Sequence, residues 1–317
     1  MFTGKRIGVV VPCHNEEKLV GRVLETMPHI VDVVIVVDDM STDGTVAVVD
    51  DYRKHKTRYQ LVLVRHHKNQ GVGGAIISGY KKAAELGLDV TAVMAGDAQM
   101  DPDELPDIVG PVARGECEYS KGNRLFSGQA WQKIPRHRYL GNATLSLMTK
   151  IASGYWHVTD SQTGYTAISL EALKTLPLDH LWKGYGFPND MLVHLNVFHY
   201  GVRDVPIEPV YGVGEKSGIK LYKVIPTLSW LLARRFWYRM MQKYVIRDFH
   251  PLIFFYTFGI LTFAAGLILG LIEAYQRIFA GVIALPTVVL VALLMISGLQ
   301  FLLFAMWFDM EYNKELK

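Results

Sequence analysis

Residues 93–102 read VMAGDAQMDP, an apolar run that stops abruptly at three side-chain oxygen donors, Asp97, Gln99 and Asp101. The same arrangement recurs three times upstream. KRIGVVVPC (5–13) runs into HNEE, VDVVIVVDD (31–39) into MSTDGT, and YQLVLVRH (59–66) into HKNQGVGG. These strands are continuous apolar runs rather than alternating ones, as expected when helices cover both faces of a parallel sheet. Helical stretches lie between them: NEEKLVGRVLETM (15–27), TDGTVAVVDDYRKH (42–55) and GGAIISGYKKAAEL (73–86). The pattern predicts an α/β domain built on a Rossmann-like, mostly parallel sheet. In such sheets ligands bind beyond the carboxyl ends of the strands, which is where all four polar clusters sit. One such cluster alone is a turn with helix caps, and Asp39, Ser41 and Thr42 are each competent N-caps. Four in succession on one rim line a cleft.

Downstream the order is less regular. ECEYSKGNRL (116–125) reads as a strand entering a basic loop, and residues 137–153 as a helix. DSQTGYTAISLEAL (160–173) is a turn, a short strand and a helix start, and VRDVPIEPVYGVGEKSGIK (202–220) is extended and then glycine-rich. The 317 residues carry a formal net charge of +3, which excludes a strongly basic nucleic-acid binder. Cys13 and Cys117 fit neither a disulfide framework nor a zinc pattern, so a reduced, cytosolic setting is expected for the soluble part. IGVVV near the N-terminus is too short for a signal peptide.

The C-terminal part differs in kind. Residues 251–272 and 278–308 carry no charge. A helix over the first run is about 33 Å long, enough to cross a hydrocarbon core of about 30 Å. The two runs predict a membrane hairpin with a tight turn at Glu273–Arg277, and the lack of ionisable groups argues for an anchor over an ion-coupled transporter. Before it, residues 226–248 place Leu228, Leu232, Phe236, Met240 and Tyr244 every four residues. Arg235, Arg239, Lys243 and Arg247 repeat likewise, offset by about 100°. This is expected to be an interfacial helix with its cations near anionic headgroups, the alternative being a surface helix packed on the domain. These cations and Arg234 precede the first span, so the expected topology is cytoplasmic for the soluble part. The expected organisation is therefore 1–225 α/β domain, 226–248 juxtamembrane amphipathic helix, and 249–317 two-helix transmembrane hairpin.

Asp97, Gln99 and Asp101 offer hard oxygen donors, suited to Mg²⁺ or Mn²⁺ and unsuited to Zn²⁺. Mg²⁺ typically takes one or two carboxylates and completes its shell with water and phosphate oxygens. A sparse site on a strand end suggests a metal that clamps a diphosphate. Asp101 precedes Pro102 and has the alternative of capping the next helix.

Four motifs in this order, P-x-x-N-E (12–16), VVDD-x-STDGT (36–45), N-x-G-x-G-x-A-x-x-x-G (69–79) and the D-x-D-like tip, resemble the family-2 glycosyltransferases of the GT-A fold. The nearest group looks like the polyprenyl-phosphate glycosyltransferases, among them the dolichyl-phosphate mannose synthases. The resemblance implies transfer of one sugar from a nucleotide-diphosphate donor to a polyprenyl phosphate in a membrane-anchored enzyme, of a group whose members can be homo-oligomers. It also implies a role for each matching residue. Pro12, His14, Asn15 and Glu16 border the nucleotide base, Asp39 contacts base or ribose, and Asn69, Gly71 and Gly73 let backbone approach the nucleotide. Asp97 and Gln99 hold the metal, with Asp101 in reserve. Ala95 stands where many relatives have a first acidic residue. Lys216, with Ser217 and Lys220, belongs to a basic loop that closes over the donor. Arg124, Arg138 and Asn142 receive the acceptor phosphate.

A sugar hydroxyl acceptor needs a general base, whereas a phosphate monoester carries a charge of about −1.5 to −2 at pH 7 and needs positioning instead. Relatives with hydroxyl acceptors use an aspartate near Asp190, which here either acts at the reaction centre or only orients the acceptor or a loop. Asp160 lies near the reaction centre by the same resemblance, or stabilises the turn it heads. A processive synthase would bring a Q-x-x-R-W signature and many more spans, and the sequence has neither. A non-catalytic binding module is the rival from another class. UDP-sugars, UDP-glucose or UDP-N-acetylhexosamine, are favoured as donor, with GDP-mannose the alternative.

Overall fold

A computed structural model describes residues 2–55, 57–125, 136–208, 221–281 and 284–317, without the side chains of 136–140, 142 and 221–224. The chain divides into two compact units, Met1–Phe236 with Leu316–Lys317, and Trp237–Glu315.

The first unit is built on seven strands: β1 (Ile7–Cys13), β2 (Val33–Asp38), β3 (Gln60–Arg65), β4 (Val90–Val93), β5 (Tyr119–Asn123), β6 (Thr166–Ser169) and β7 (Val202–Pro206). They form one sheet in the order β3-β2-β1-β4-β6-β5-β7. Pairing is parallel except on both sides of β6. Every residue of β1, β2 and β4 is buried, whereas edge strand β3 is partly exposed. The continuous apolar runs have the cause expected of them. Val9, Val11, Val34 and Val36 pack into one core layer, while Val10, Ile35 and Val37 pack into another, so the two faces of each strand are covered separately.

The helices of this unit are α1 (Val20–Glu25), α2 (Thr45–Lys54), α3 (Val72–Glu85), α4 (Leu105–Ala113), α5 (Arg136–Ser153), α6 (Leu170–Thr175) and α7 (Phe187–Val197), followed by α8 (Leu221–Met241), whose last residues belong to the second unit. The first helix begins five residues later than its sequence periodicity suggests. Asn15 takes a left-handed φ of 61°, and residues 15–17 are tied by hydrogen bonds to the loop after β2.

In the second unit, a π-helical segment (Gln242–Arg247) leads to α9 (Leu252–Ala280) and α10 (Leu285–Tyr312). These are 29 and 28 residues long with mean hydropathy of 2.2 and 2.6, and only 22% and 11% of their most apolar windows are buried. A core helix of a soluble protein would be mostly covered. Here Phe258, Leu271, Val289 and Leu303 face outward, a surface that suits lipid and not water. The two helices touch closely, and a Cβ on Gly298 would lie 2.5 Å from the Phe263 backbone nitrogen, the small-residue contact expected of a membrane hairpin. The turn is displaced from its expected place. Glu273–Arg277 contain no helix breaker and continue α9, which ends at Gly281 in the left-handed conformation, φ 68°.

The cationic row of residues 226–248 is also redirected. Arg239 is buried against Asp309, with contacts of 2.7 and 2.9 Å, and Tyr244 donates to the same carboxylate at 2.6 Å. Lys243, equally buried, donates to Asn313 at 2.7 Å. These cations serve internal partners instead of headgroups. The exposed residues include Trp230 and Arg234 in the first unit, and Trp237, Met241, Ile246 and Arg247 in the second. Removing one member of a buried ion pair costs about 3–5 kcal/mol, whereas replacing both with apolar groups is often neutral. Arg239→Ala is expected to lower the thermal stability of the detergent-solubilised chain markedly, and Arg239→Met combined with Asp309→Leu to recover most of it. Equal losses in the two variants would contradict the pairing.

Candidate active site

The four strand tips meet on one rim. The first two are laced together: Thr42 donates from its backbone to Asn15 Oδ1 at 2.8 Å, Asn15 to Ser41 Oγ at 3.0 Å, and Glu16 to Thr45 Oγ1 at 2.8 Å. Pro12 accepts from the Gly96 backbone at 3.2 Å, joining the first tip to the fourth. His14 Nδ1 lies 2.8 Å from the Asp39 carbonyl, and the Asn69 amide lies within 3.5 Å of the same ring. Asn15, Met40, Ala98 and Asp160 all adopt positive φ. For residues other than glycine this backbone is strained, and such strain concentrates at functional sites.

Asp39 is buried, and its carboxylate accepts from the backbones of Gln70 and Gly71, each at 2.8 Å, and from His66 at 2.7 Å. It shapes the loop after β3 from inside. The glycines there have a steric reason within the chain itself. A Cβ on Gly71 would sit 2.8 Å from the Lys183 carbonyl oxygen, and one on Gly73 would sit 2.5 Å from that of Trp182. Gly74 donates to the Lys183 carbonyl at 3.1 Å. The glycines admit the backbone of residues 182–184, a neighbouring loop of the same unit.

At the fourth tip, Asp97 and Gln99 line a cavity with Met100, Glu104, Arg124 and Thr163. The Gln99 backbone donates to Asp97 Oδ1 at 3.1 Å, and Asp101 Oδ1 caps the following turn by accepting from Asp103 at 2.9 Å. Asp101 thus has the capping role that its place before Pro102 allowed. Among the described residues no three His, Cys, Asp or Glu side chains converge as a self-sufficient metal cage. One carboxylate with a neighbouring amide still fits an ion that draws its other oxygens from a diphosphate. The local field agrees: burial, then the charges of Asp97 and Asp43, push the Glu16 carboxyl up to about 7 against the opposing pull of His14. The part of that rise that comes from Asp97 and Asp43 is negative potential that a divalent cation would neutralise. The cradle is tight, since a Cβ on Gly96 would lie 2.6 Å from Cys13 Sγ.

Across the cavity, Asp160 is fully buried and holds Arg124 as a fork, Nε to Oδ2 at 2.7 Å and Nη2 to Oδ1 at 2.9 Å, while the Arg124 backbone adds a bond at 3.0 Å. Lys121 Nζ secures the turn through the carbonyls of Thr159 and Asp160, both at 2.8 Å. Burial works to raise the Asp160 pKa, but the bonds and charge of Arg124 outweigh it and hold the carboxyl below its usual range. The structure therefore brings Asp97, Gln99, Arg124 and Asp160 together. Arg138 and Asn142 share α5, with their side chains outside the described residues, as is all of Lys216.

Asp190 is placed elsewhere. It is fully buried, accepts from the Trp182 backbone at 2.7 Å, and pairs with Arg235 of α8, Nη2 to Oδ2 at 2.9 Å. His194 lies 3.2 Å from its other oxygen. A carboxylate so engaged ties α7 to α8, the kind of contact by which a residue orients its neighbours. Sequence reasoning missed Glu104, whose Oε1 accepts from the Glu208 backbone at 2.6 Å beside the cavity. A glutamate in DPDEL reads as an ordinary helix-start acid, and only the return of β7 brings Glu208 to it.

Comparison with known proteins agrees with this architecture. Residues 8–176 match glycosyl transferase family 2. The chain is 32% identical over 218 residues to a UDP-N-acetylglucosamine–dolichyl-phosphate N-acetylglucosaminyltransferase of Methanococcus voltae, covering 65% of this chain and 86% of that one. It is 32% identical over 239 residues to an undecaprenyl-phosphate mannosyltransferase of Micrococcus luteus, covering 73% and 96%. Glucosyl-3-phosphoglycerate synthase from Mycobacterium tuberculosis, solved with Mn²⁺, UDP-glucose and phosphoglyceric acid, shares the fold at a TM-score of 0.54 and 20% identity over 74% of this chain and 80% of that one. The chain belongs to glycosyl transferase family 2 and is a glycosyltransferase.

Because the Asp160 pKa is depressed on folding, the stability it contributes is present above its unfolded value of about 3.9 and is lost as pH falls through the folded value. Asp160→Asn is expected to cost about 3 kcal/mol at pH 7, the low end for a buried pair since Arg124 is partly exposed. Chemical unfolding at pH 7 and at pH 3 checks this. The gap between variant and parent narrows at the lower pH if the pair carries the effect.

Proposed function

We propose that the chain transfers one sugar from a UDP-sugar to the phosphate of a polyprenol, with inversion at the anomeric carbon. The observation that carries this reading is the cavity shared by Asp97 and Gln99 on one side and the clamped Arg124 on the other. A diphosphate leaving group and an anionic acceptor each need such a partner, and the two must meet. The names of the relatives support the acceptor class, since they are dolichyl- and undecaprenyl-phosphate transferases. UDP is favoured because one of them is named for a UDP-sugar and the structural neighbour was solved with UDP-glucose.

An acceptor phosphate oxygen attacks the anomeric carbon, the bond from that carbon to the donor diphosphate breaks, and the nucleoside diphosphate leaves with the electron pair. The acceptor is already ionised at neutral pH, so no side chain has to remove a proton. That accords with the engagement of Asp190 by Arg235. Arg124, held rigid by its fork to Asp160, orients the phosphate through the Nη1 side of its guanidinium, and Arg138 and Asn142 on α5 complete that side. Pro12, His14, Asn15, Glu16 and Asn69 border the donor, on loops that Asp39 holds in shape, and Lys216 closes over it. A Mg²⁺ or Mn²⁺ ion held by Asp97 and Gln99 would neutralise charge on the leaving diphosphate. The paired helices α9 and α10 anchor the enzyme, with the domain of residues 1–225 on the cytoplasmic side by the cations that precede the first span.

The test is a panel of UDP- and GDP-sugars incubated with membranes containing polyprenyl phosphate, with mass detection of the lipid product. A polyprenyl-phosphate monosaccharide is expected from a UDP-sugar, and Asp97→Ala is expected to slow its formation at least about a hundredfold, the usual loss when leaving-group charge is left unneutralised. A product from GDP-mannose alone would overturn the donor assignment. No lipid product from any donor would favour the binding-module reading.

A further inference from the structure

Asn189 lies next to Asp190 in α7 but is bonded to a different set of partners. It is fully buried, and its amide donates to Thr149 Oγ1 at 2.7 Å and to Ser161 Oγ at 3.2 Å. Its carbonyl oxygen accepts from Gln162 Nε2 at 2.9 Å, and Gln162 also donates to Ser161 at 3.2 Å. The Ser161 backbone in turn donates to Ser146 Oγ at 3.3 Å. Thr149 and Ser146 belong to α5, the helix that carries Arg138 and Asn142. Ser161 and Gln162 belong to the turn that opens with Asp160, the residue that clamps Arg124, and closes with Thr163 and Gly164 at the cavity wall. One amide therefore joins the two elements that carry the acceptor-phosphate groups. An amide supplies two donors and an acceptor at one position, which neither a carboxylate nor an apolar residue of this size offers.

A buried polar network can exist for stability alone. Its placement argues for more. Among the described residues, no hydrogen bond runs from this network to the donor-side loops at residues 12–16, 38–45 or 66–73, whereas both of its ends lead to acceptor-side groups. We propose that Asn189 is a positioning residue for the acceptor phosphate, setting the spacing between α5 and the Asp160–Arg124 clamp. This rests on the transfer reaction proposed above.

The test uses the full chain in nanodiscs holding either undecaprenyl phosphate or undecaprenol, and measures lipid affinity and, separately, UDP and GDP affinity. Asn189→Ala removes the amide. Thr149→Val removes one partner hydroxyl from the α5 side with little change of shape, and carries the test if the first variant does not fold. The expected result is preference of the parent chain for the phosphate lipid, a loss of about tenfold or more in that affinity for either variant, and nucleotide affinity within about twofold of the parent. Equal weakening toward lipid and nucleotide, or unchanged phosphate-lipid affinity, overturns the positioning role. A parent chain that does not distinguish the two lipids overturns the acceptor assignment itself, and this inference with it.

Discussion

The buried pairing of Asp160 with Arg124 is the interaction around which the site is organised. A carboxylate without solvent is tolerated only when its charge and lone pairs are met, and here a guanidinium fork and a backbone N–H meet them. The turn that presents it is held in turn by Lys121 in the middle of β5 and by Asn189 through Ser161 and Gln162. The result is an arginine whose side chain is fixed at the cavity wall, facing the strand tip of Asp97 and Gln99. A guanidinium fixed in this way orients an oxyanion at lower entropic cost than a mobile lysine would.

The strand tips were legible because a parallel sheet covered on both faces writes itself as uninterrupted Val and Ile runs, and each run here ended in polar residues. The two long apolar C-terminal helices were legible for a similar reason, since length and absence of charge leave few other uses. The partners of individual side chains were harder to read. Asp39, Gly71 and Gly73 carry a motif that marks the loop as special, yet the Cβ space of those glycines is taken by the backbone of residues 182–184, more than a hundred positions away in sequence. No local pattern encodes that approach.

The same limit explains the charges of α8 and its π-helical continuation. Periodicity showed a cationic row but not what it meets. Arg235 meets Asp190, and Arg239 meets Asp309. Neither pairing is announced locally: the family resemblance left Asp190 a place at the reaction centre or an orienting role, and Asp309 stands at the end of an apolar span. Helical spacing fixes which residues share a face, whereas the charge that faces them comes from the tertiary fold. The turn of the hairpin shows the converse: EAYQR is polar enough to suggest a loop, but helix propensity carries it to the first residue that enters the left-handed region freely, Gly281.

The most direct test of a fixed guanidinium as the acceptor-phosphate partner is Arg124→Lys, which keeps the charge and removes the fork. The account predicts that affinity of the full chain for polyprenyl phosphate falls at least about tenfold, because a point charge cannot reproduce a bidentate geometry, while nucleotide binding is retained. Parent-like affinity for the phosphate lipid in that variant would contradict it, and would reduce the Asp160–Arg124 pair to a structural contact.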